Sequence, residues 1–251
     1  MIQVLLTAVG VGLATFIGAV LGLIFKKQTE KTSNLVLSFA AGIMLCASIV
    51  GLIIPSLEAE GKFSILIAVI GIFSGALFLN FIDKFTPHLH KLSGIDEEKH
   101  KNNKKLNKIL LFVIAIAIHN FPEGIAAGVG FGSDNTARAI IIAGGIALQN
   151  IPEGMVIIAP LLSLGLSKRK TFLFASLTGL VEVLGTLLGY FAVSISSAIL
   201  PFALAFAGGT MLYVISDEMI PETHSHGSER GATFFLLIGF CFMLIFDFIL
   251  G

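Results

Sequence analysis

The chain has 251 residues, a formal net charge of zero and 13% charged side chains against 55% hydrophobic ones. Soluble globular domains carry about 25% charged residues, so this composition excludes an ordinary water-soluble domain. Neutrality offers no electrostatic footprint for a nucleic-acid partner. A mean hydropathy of +0.95 and 27 glycines point instead to a helical membrane protein whose helices pack closely.

A membrane span needs about 20 predominantly apolar residues. The stretches that qualify are 2–25, 35–57, 63–82, 106–132, 139–164, 171–193, 198–220 and 232–250. The first has no basic region before it and outlasts the roughly 7–15 residues of a secretory core, so it reads as a membrane helix and not a signal peptide. The narrowest division, at Ser194 to Ser197, is followed by Pro201, a residue suited to the start of a helix. Cys46 and Cys241 both fall in apolar runs and read as small buried residues.

Charge then orients the spans. Lys26, Lys27 and Lys31 follow the first, seven lysines from Lys84 to Lys108 follow the third, Lys168 to Lys170 follow the fifth, and Arg230 follows the seventh. Only Lys62 and Arg138 lie in the other loops, so 14 of 16 basic residues share one side. The positive-inside rule makes that side cytoplasmic and puts both termini outside. The whole chain, 1–251, reads as one transmembrane domain. Its one long loop, 83–105, is polar and lysine-rich, carries His88, His90 and His100, and reads as a flexible cytoplasmic segment.

Polar residues near the middle of spans carry the chemistry. His119-Asn120-Phe121-Pro122-Glu123-Gly124 lies in the fourth span, and Gln149-Asn150-Ile151-Pro152-Glu153-Gly154 repeats its pattern in the fifth. Glu182 falls at similar depth in the sixth. An acid at a helix centre costs roughly 2.5–3.5 kcal/mol on insertion scales, and no lysine or arginine occupies a span centre to offset it. Protonation, buried water or a bound cation remain. Spacing favours the cation, because His119 and Glu123 share a helix face at i and i+4, as do Gln149 and Glu153.

The fourth and fifth spans are expected to be antiparallel neighbours, which would bring the two motifs together. Imidazole with carboxylates suits zinc and other first-row divalent ions, and Asn120, Gln149 and Asn150 offer neutral oxygens. Three carboxylates accommodate one or two such ions. Pro122 and Pro152 cannot bond the carbonyls four residues back and so free them.

These residues resemble the ZIP (Zrt/Irt-like) family of divalent-metal transporters, and the sequence is similar to its GufA-like bacterial branch. The two hexapeptides carry the resemblance, with Ala41-Gly42-Ile43-Met44-Leu45 and the stretch from Ser216 to His224. It implies eight helices in a 3+2+3 arrangement, with helices one, four, five and six moving as a block against two, three, seven and eight. It also implies a homodimer in the cell (inner) membrane and a two-metal site of His119, Asn120, Glu123, Gln149, Asn150, Glu153 and Glu182. Asp217, Glu218, His224 and His226 would lie on a cytoplasmic exit path.

The implied substrate is zinc or a similar ion (iron, manganese or cadmium), carried as cargo, with no cofactor. Many relatives have histidine at Gln149 and an acid at Gly51, and some have aspartate at Asn150, so the second metal position is the weaker one here. The expected function is transport, not catalysis. A proton- or sodium-coupled carrier or channel is one alternative. An intramembrane metallohydrolase is another, although the chain has no H-E-x-x-H and no third imidazole in any span.

Overall fold

The computed structural model describes residues 1–25, 29–58, 63–83, 104–132, 136–224 and 229–250. Among these, eight helices are long and apolar enough to cross a membrane, and no strand occurs among the described residues, so the protein is an all-α membrane protein. They are α1 (Ile2–Ile24), α2 (Glu30–Leu57), α3 (Ser64–Asp83), α4 (Lys104–Val129), α5 (Thr136–Ser163), α6 (Lys168–Ile195), α7 (Leu200–His224) and α8 (Glu229–Leu250). The segment with His88, His90 and His100 and the residue His226 lie outside the described residues.

Several helices outrun the apolar stretches that announce them. α2 and α6 begin a turn or more early because Thr29 and Ser167 accept hydrogen bonds from the backbone N–H groups of Thr32 and Lys170, capping a polar first turn. Two helices also change winding. α2 is a π-helix over Ala47–Ile53, and α7 over Ile215–Met219. Cys46 is buried as expected, but Cys241 is exposed on α8. An apolar run marks residence in the membrane and does not say which face meets lipid.

The helices sort into two sets. α4 packs chiefly on α6, α5 on α1, and α1 also on α6; separately, α3 packs on α7 and α2 on α8. α4 and α5, expected to be antiparallel neighbours, do meet, but far less than they meet α6 and α1. Small-residue faces decide this. Gly124 and Gly128 of α4 press on the backbone of α6, whose Gly185 and Gly189 press back on α4. Gly154 of α5 meets the backbone of α1, whose Gly18 and Gly22 return the contact. In the other set, Gly71 and Gly75 of α3 lie on α7, and Gly42 of α2 and Gly239 of α8 lie on each other's helix.

Across the seam between the sets, the contacts change character. A Cβ on Gly51 of α2 would meet only the Ile142 side chain of α5, at 3.1 Å. Gly145 and Gly144 of α5 face the side chains of Met243 and Phe246 on α8. A single apolar cluster, including Ala127, Ile142 and Ile146 from one set and Ala47, Leu52 and Met211 from the other, fills this seam.

Backbone contacts cannot relax as side-chain contacts can. Gly128→Ala, which runs into the Thr186 carbonyl oxygen, is expected to destabilise the protein by about 1–3 kcal/mol in detergent denaturation. For Gly51→Ala, the gain in helix propensity of about 1 kcal/mol offsets a contact that only a side chain must yield, so stability should change by less than about 1 kcal/mol.

Candidate metal centre

Equivalent positions of the two hexapeptides do equivalent work. Pro122 and Pro152 sit inside α4 and α5. The second residue of each motif, Asn120 or Asn150, donates from its amide to Glu182 of α6. Asn120 reaches Oε1, and Asn150 reaches Oε2 at 2.6 Å. Thr15 of α1 adds its hydroxyl to Oε1, also at 2.6 Å. The final glycines set these distances: Gly124 lies against the backbone of Glu182, and Gly154 against that of Thr15. A side chain at either glycine would push the donors away from the carboxylate they serve.

The first and fifth residues of each motif are used differently. Glu123 lies within electrostatic reach of Glu153 and Glu182, with the Gln149 carboxamide beside it, and Glu153 lies within reach of His119. Glu123 Oε2, Glu153 Oε1, both amide atoms of Gln149 and Asn150 Oδ1 are buried with no hydrogen-bond partner. Leaving a buried polar atom unpaired costs about 1–3 kcal/mol, so such a concentration in one place calls for a ligand. Four of these five atoms are oxygens, as a hard or borderline divalent cation prefers.

His119 points elsewhere. Its Nε2 lies 2.6 Å from Oε1 of Glu218 on α7, a contact that crosses the seam between the two helix sets. With this imidazole engaged and Glu182 enclosed by donors, no group of three or more His, Cys, Asp or Glu side chains among the described residues forms a ready cage for an ion. The donor chemistry nevertheless fits one: an imidazole, two carboxylates and carboxamide oxygens at one depth.

A cavity of about 600 Å³ leads to this place. Its inner end is lined by His119, Asn120, Glu123 and Glu153, and its mouth by Glu30, Ser163 and Glu222, near the helix ends that adjoin the basic loops. Gln149, Asn150 and Glu182 lie behind its lining, at 0%, 1% and 0% exposure. On the opposite side the apolar seam around Ile142 and Ile146 closes the way.

Of the four residues read as an exit path, Glu218 lines the cavity, whereas Asp217 is exposed and does not. His224 is tied to its own helix and to α8, with Nδ1 2.9 Å from the Ile220 carbonyl and Nε2 3.1 Å from the Thr233 hydroxyl. Glu222 joins Glu218 in the cavity; its i+4 spacing from Glu218 was a usable signal. Thr15 had no signal, being one of two threonines, with Thr7, in an apolar helix.

Eight membrane helices around a buried carboxylate–imidazole cluster, reached from one face, define a multi-pass metal-ion transporter. The ZIP Zinc transporter family model matches residues 96–247. The chain is 41% identical to the zinc transporter GufA of Myxococcus xanthus over 96% of each chain. It is 36% identical to the zinc transporter ZIPB of Bordetella bronchiseptica over 95% of this chain and 78% of that one. It is 30% identical to the human zinc transporter ZIP11 over 94% of each. The protein belongs to the ZIP family, in its GufA branch, a family of transporters and not of enzymes.

Enclosure of Glu182 has a measurable consequence. Glu182→Ala strands the donors of Thr15, Asn120 and Asn150 and should lower stability by at least about 1.5–3 kcal/mol. Glu182→Gln keeps an acceptor and should lose less. Denaturation of metal-free protein in detergent compares the two.

Proposed function

We propose that this protein carries zinc, or a divalent ion of similar chemistry such as iron, manganese or cadmium, across the cell (inner) membrane into the cytoplasm. The observation that carries this reading is the group of unpartnered buried oxygens on Glu123 and Glu153, which line the inner end of the cavity, and on Gln149 and Asn150 just behind it. His119 supplies the one softer ligand within reach. The mouth of the cavity lies among the basic loops, which supports a cytoplasmic opening, with both termini outside.

Transport would proceed by alternating access. α1, α4, α5 and α6 form one body of a 3+2+3 arrangement and α2, α3, α7 and α8 the other. The glycine contacts support this, being backbone-to-backbone within each set and side-chain-mediated across the seam. The ion would enter from the outer side, bind on His119, Glu123, Gln149 and Glu153, and leave past Glu218 and Glu222. Glu218 aids release by competing for His119: the nitrogen it holds is not available to an ion. We read the working unit as a homodimer, as the family resemblance implies.

Three measurements test this. Glu123→Ala should abolish zinc uptake into proteoliposomes; undiminished uptake would overturn the mechanism. Gln149→His adds a second imidazole and should shift competition among divalent ions towards zinc, whereas an unchanged ranking would show that oxygen at this position does not set preference. Glu218→Ala removes the group that holds Nε2 of His119 and should tighten zinc binding by about tenfold, the equivalent of one charge-assisted hydrogen bond of roughly 1.5 kcal/mol, while slowing uptake.

A further inference from the structure

We infer that Glu182 is not a ligand of the transported ion and that the site holds a single ion, with Thr15 as a positioning residue that keeps the Glu182 carboxylate turned away from it. This rests on the metal-transport reading above and sharpens it.

The argument begins with occupancy of lone pairs. Oε1 of Glu182 accepts from Thr15 and Asn120, and Oε2 accepts from Asn150. The three donors come from α1, α4 and α5, so the carboxylate is held from three directions. Oε1 already accepts two donors and could bind a cation only if one of them turned away, and Oε2, with one lone pair left, has the Asn150 N–H beside it. A carboxamide N–H presents positive charge, so a cation seated beside it would be repelled. Glu182 is also fully buried and does not line the cavity.

Charge gives the same answer. The three donors serve the oxygens of Glu182 without a metal. Glu123 and Glu153 remain, two carboxylates with one unpartnered oxygen each. One divalent ion neutralises that pair. A second would have to draw on Glu182, the one acid of the three with a donor already on each oxygen.

The clamp depends on residue identity at two places. Thr15 must have a hydroxyl, and position 150 must have a donor. Aspartate at 150 could not donate and would face Glu182 as a second carboxylate. Gly154 then matters doubly, because its approach to the backbone of Thr15 brings α5 and α1 together at this point.

The test uses the full-length chain purified in detergent, stripped of metal and equilibrated with zinc chloride, with bound zinc per chain counted by elemental mass spectrometry. Wild type should saturate at one zinc per chain and Asn150→Asp at two. Wild type saturating at two, or Asn150→Asp remaining at one, would overturn the inference while leaving the transport reading intact. Wild type binding none would overturn the transport reading and the inference together.

A kinetic arm isolates Thr15. In proteoliposomes, Thr15→Val should free Glu182 to join the ion, lowering the KM for zinc by about tenfold, equal to 1.4 kcal/mol, and lowering kcat with it. Thr15→Ser should restore both. A structural role alone would reduce kcat without tightening KM, and that outcome rejects the assignment. If Thr15→Val does not fold, the zinc count of Asn150→Asp decides.

Discussion

A carboxylate at the centre of a membrane helix has to be answered by its neighbours, because lipid offers nothing to it. Here Glu182 is answered by Thr15, Asn120 and Asn150, one residue from each of three other helices. Satisfying it fixes how α1, α4, α5 and α6 stand to one another at the depth where both hexapeptides lie. The glycines that end the motifs serve the same purpose. By allowing backbone contact at Glu182 and at Thr15, they bring short donors within reach. Each hexapeptide is therefore half a helix-packing element and half a set of ligands.

That division explains why one group of helices can be stiff and still present an unsatisfied site. The asparagines and glycines face inwards to the helix set and complete its packing. His119, Glu123 and Glu153 face the cavity, and Gln149 lies fully buried just behind its lining. Polar atoms without partners would ordinarily be a defect in a membrane interior. Five of them gather on Glu123, Gln149, Asn150 and Glu153, at or just behind the cavity lining, where a ligand entering the cavity could meet them. The apolar seam beyond the site is held by side chains such as Ile142, Met243 and Phe246, which can change rotamer as the two sets shift.

Much of this was legible in one dimension. Apolar length is a property of the string, so the spans could be read directly. The motifs stood out because polar residues at mid-span are expensive. Helix partners could not be read the same way. Gly124, Gly128, Gly185 and Gly189 are ordinary in sequence, and only their interleaving in space makes α6, and not α5, the chief neighbour of α4. The separate duties of Asn120 and Glu123 were hidden for the same reason, since both are polar, mid-span and one turn apart. Thr15 was invisible because a threonine hydroxyl in an apolar helix usually bonds its own backbone. The π segments had no marker, as no residue type demands that winding.

Those π segments bear on how an ion could move the protein. α7 is wound this way over Ile215–Met219, where Glu218 is buried towards the cavity while its neighbour Asp217 is exposed. Such bulges recur at functional sites because they break helical register and re-aim a side chain. Glu218 so aimed meets His119 of the opposite helix set. One polar link across the seam is thus made by the imidazole that an ion would take; another, from Arg138 of α5 to Glu58 at the end of α2, lies at the helix ends. The links that hold each set together, glycine against backbone and three donors on Glu182, are made by residues set back from the cavity or by Asn120 at its edge. Those internal links do not pass through His119, the residue that carries the contact to Glu218 of the opposite set.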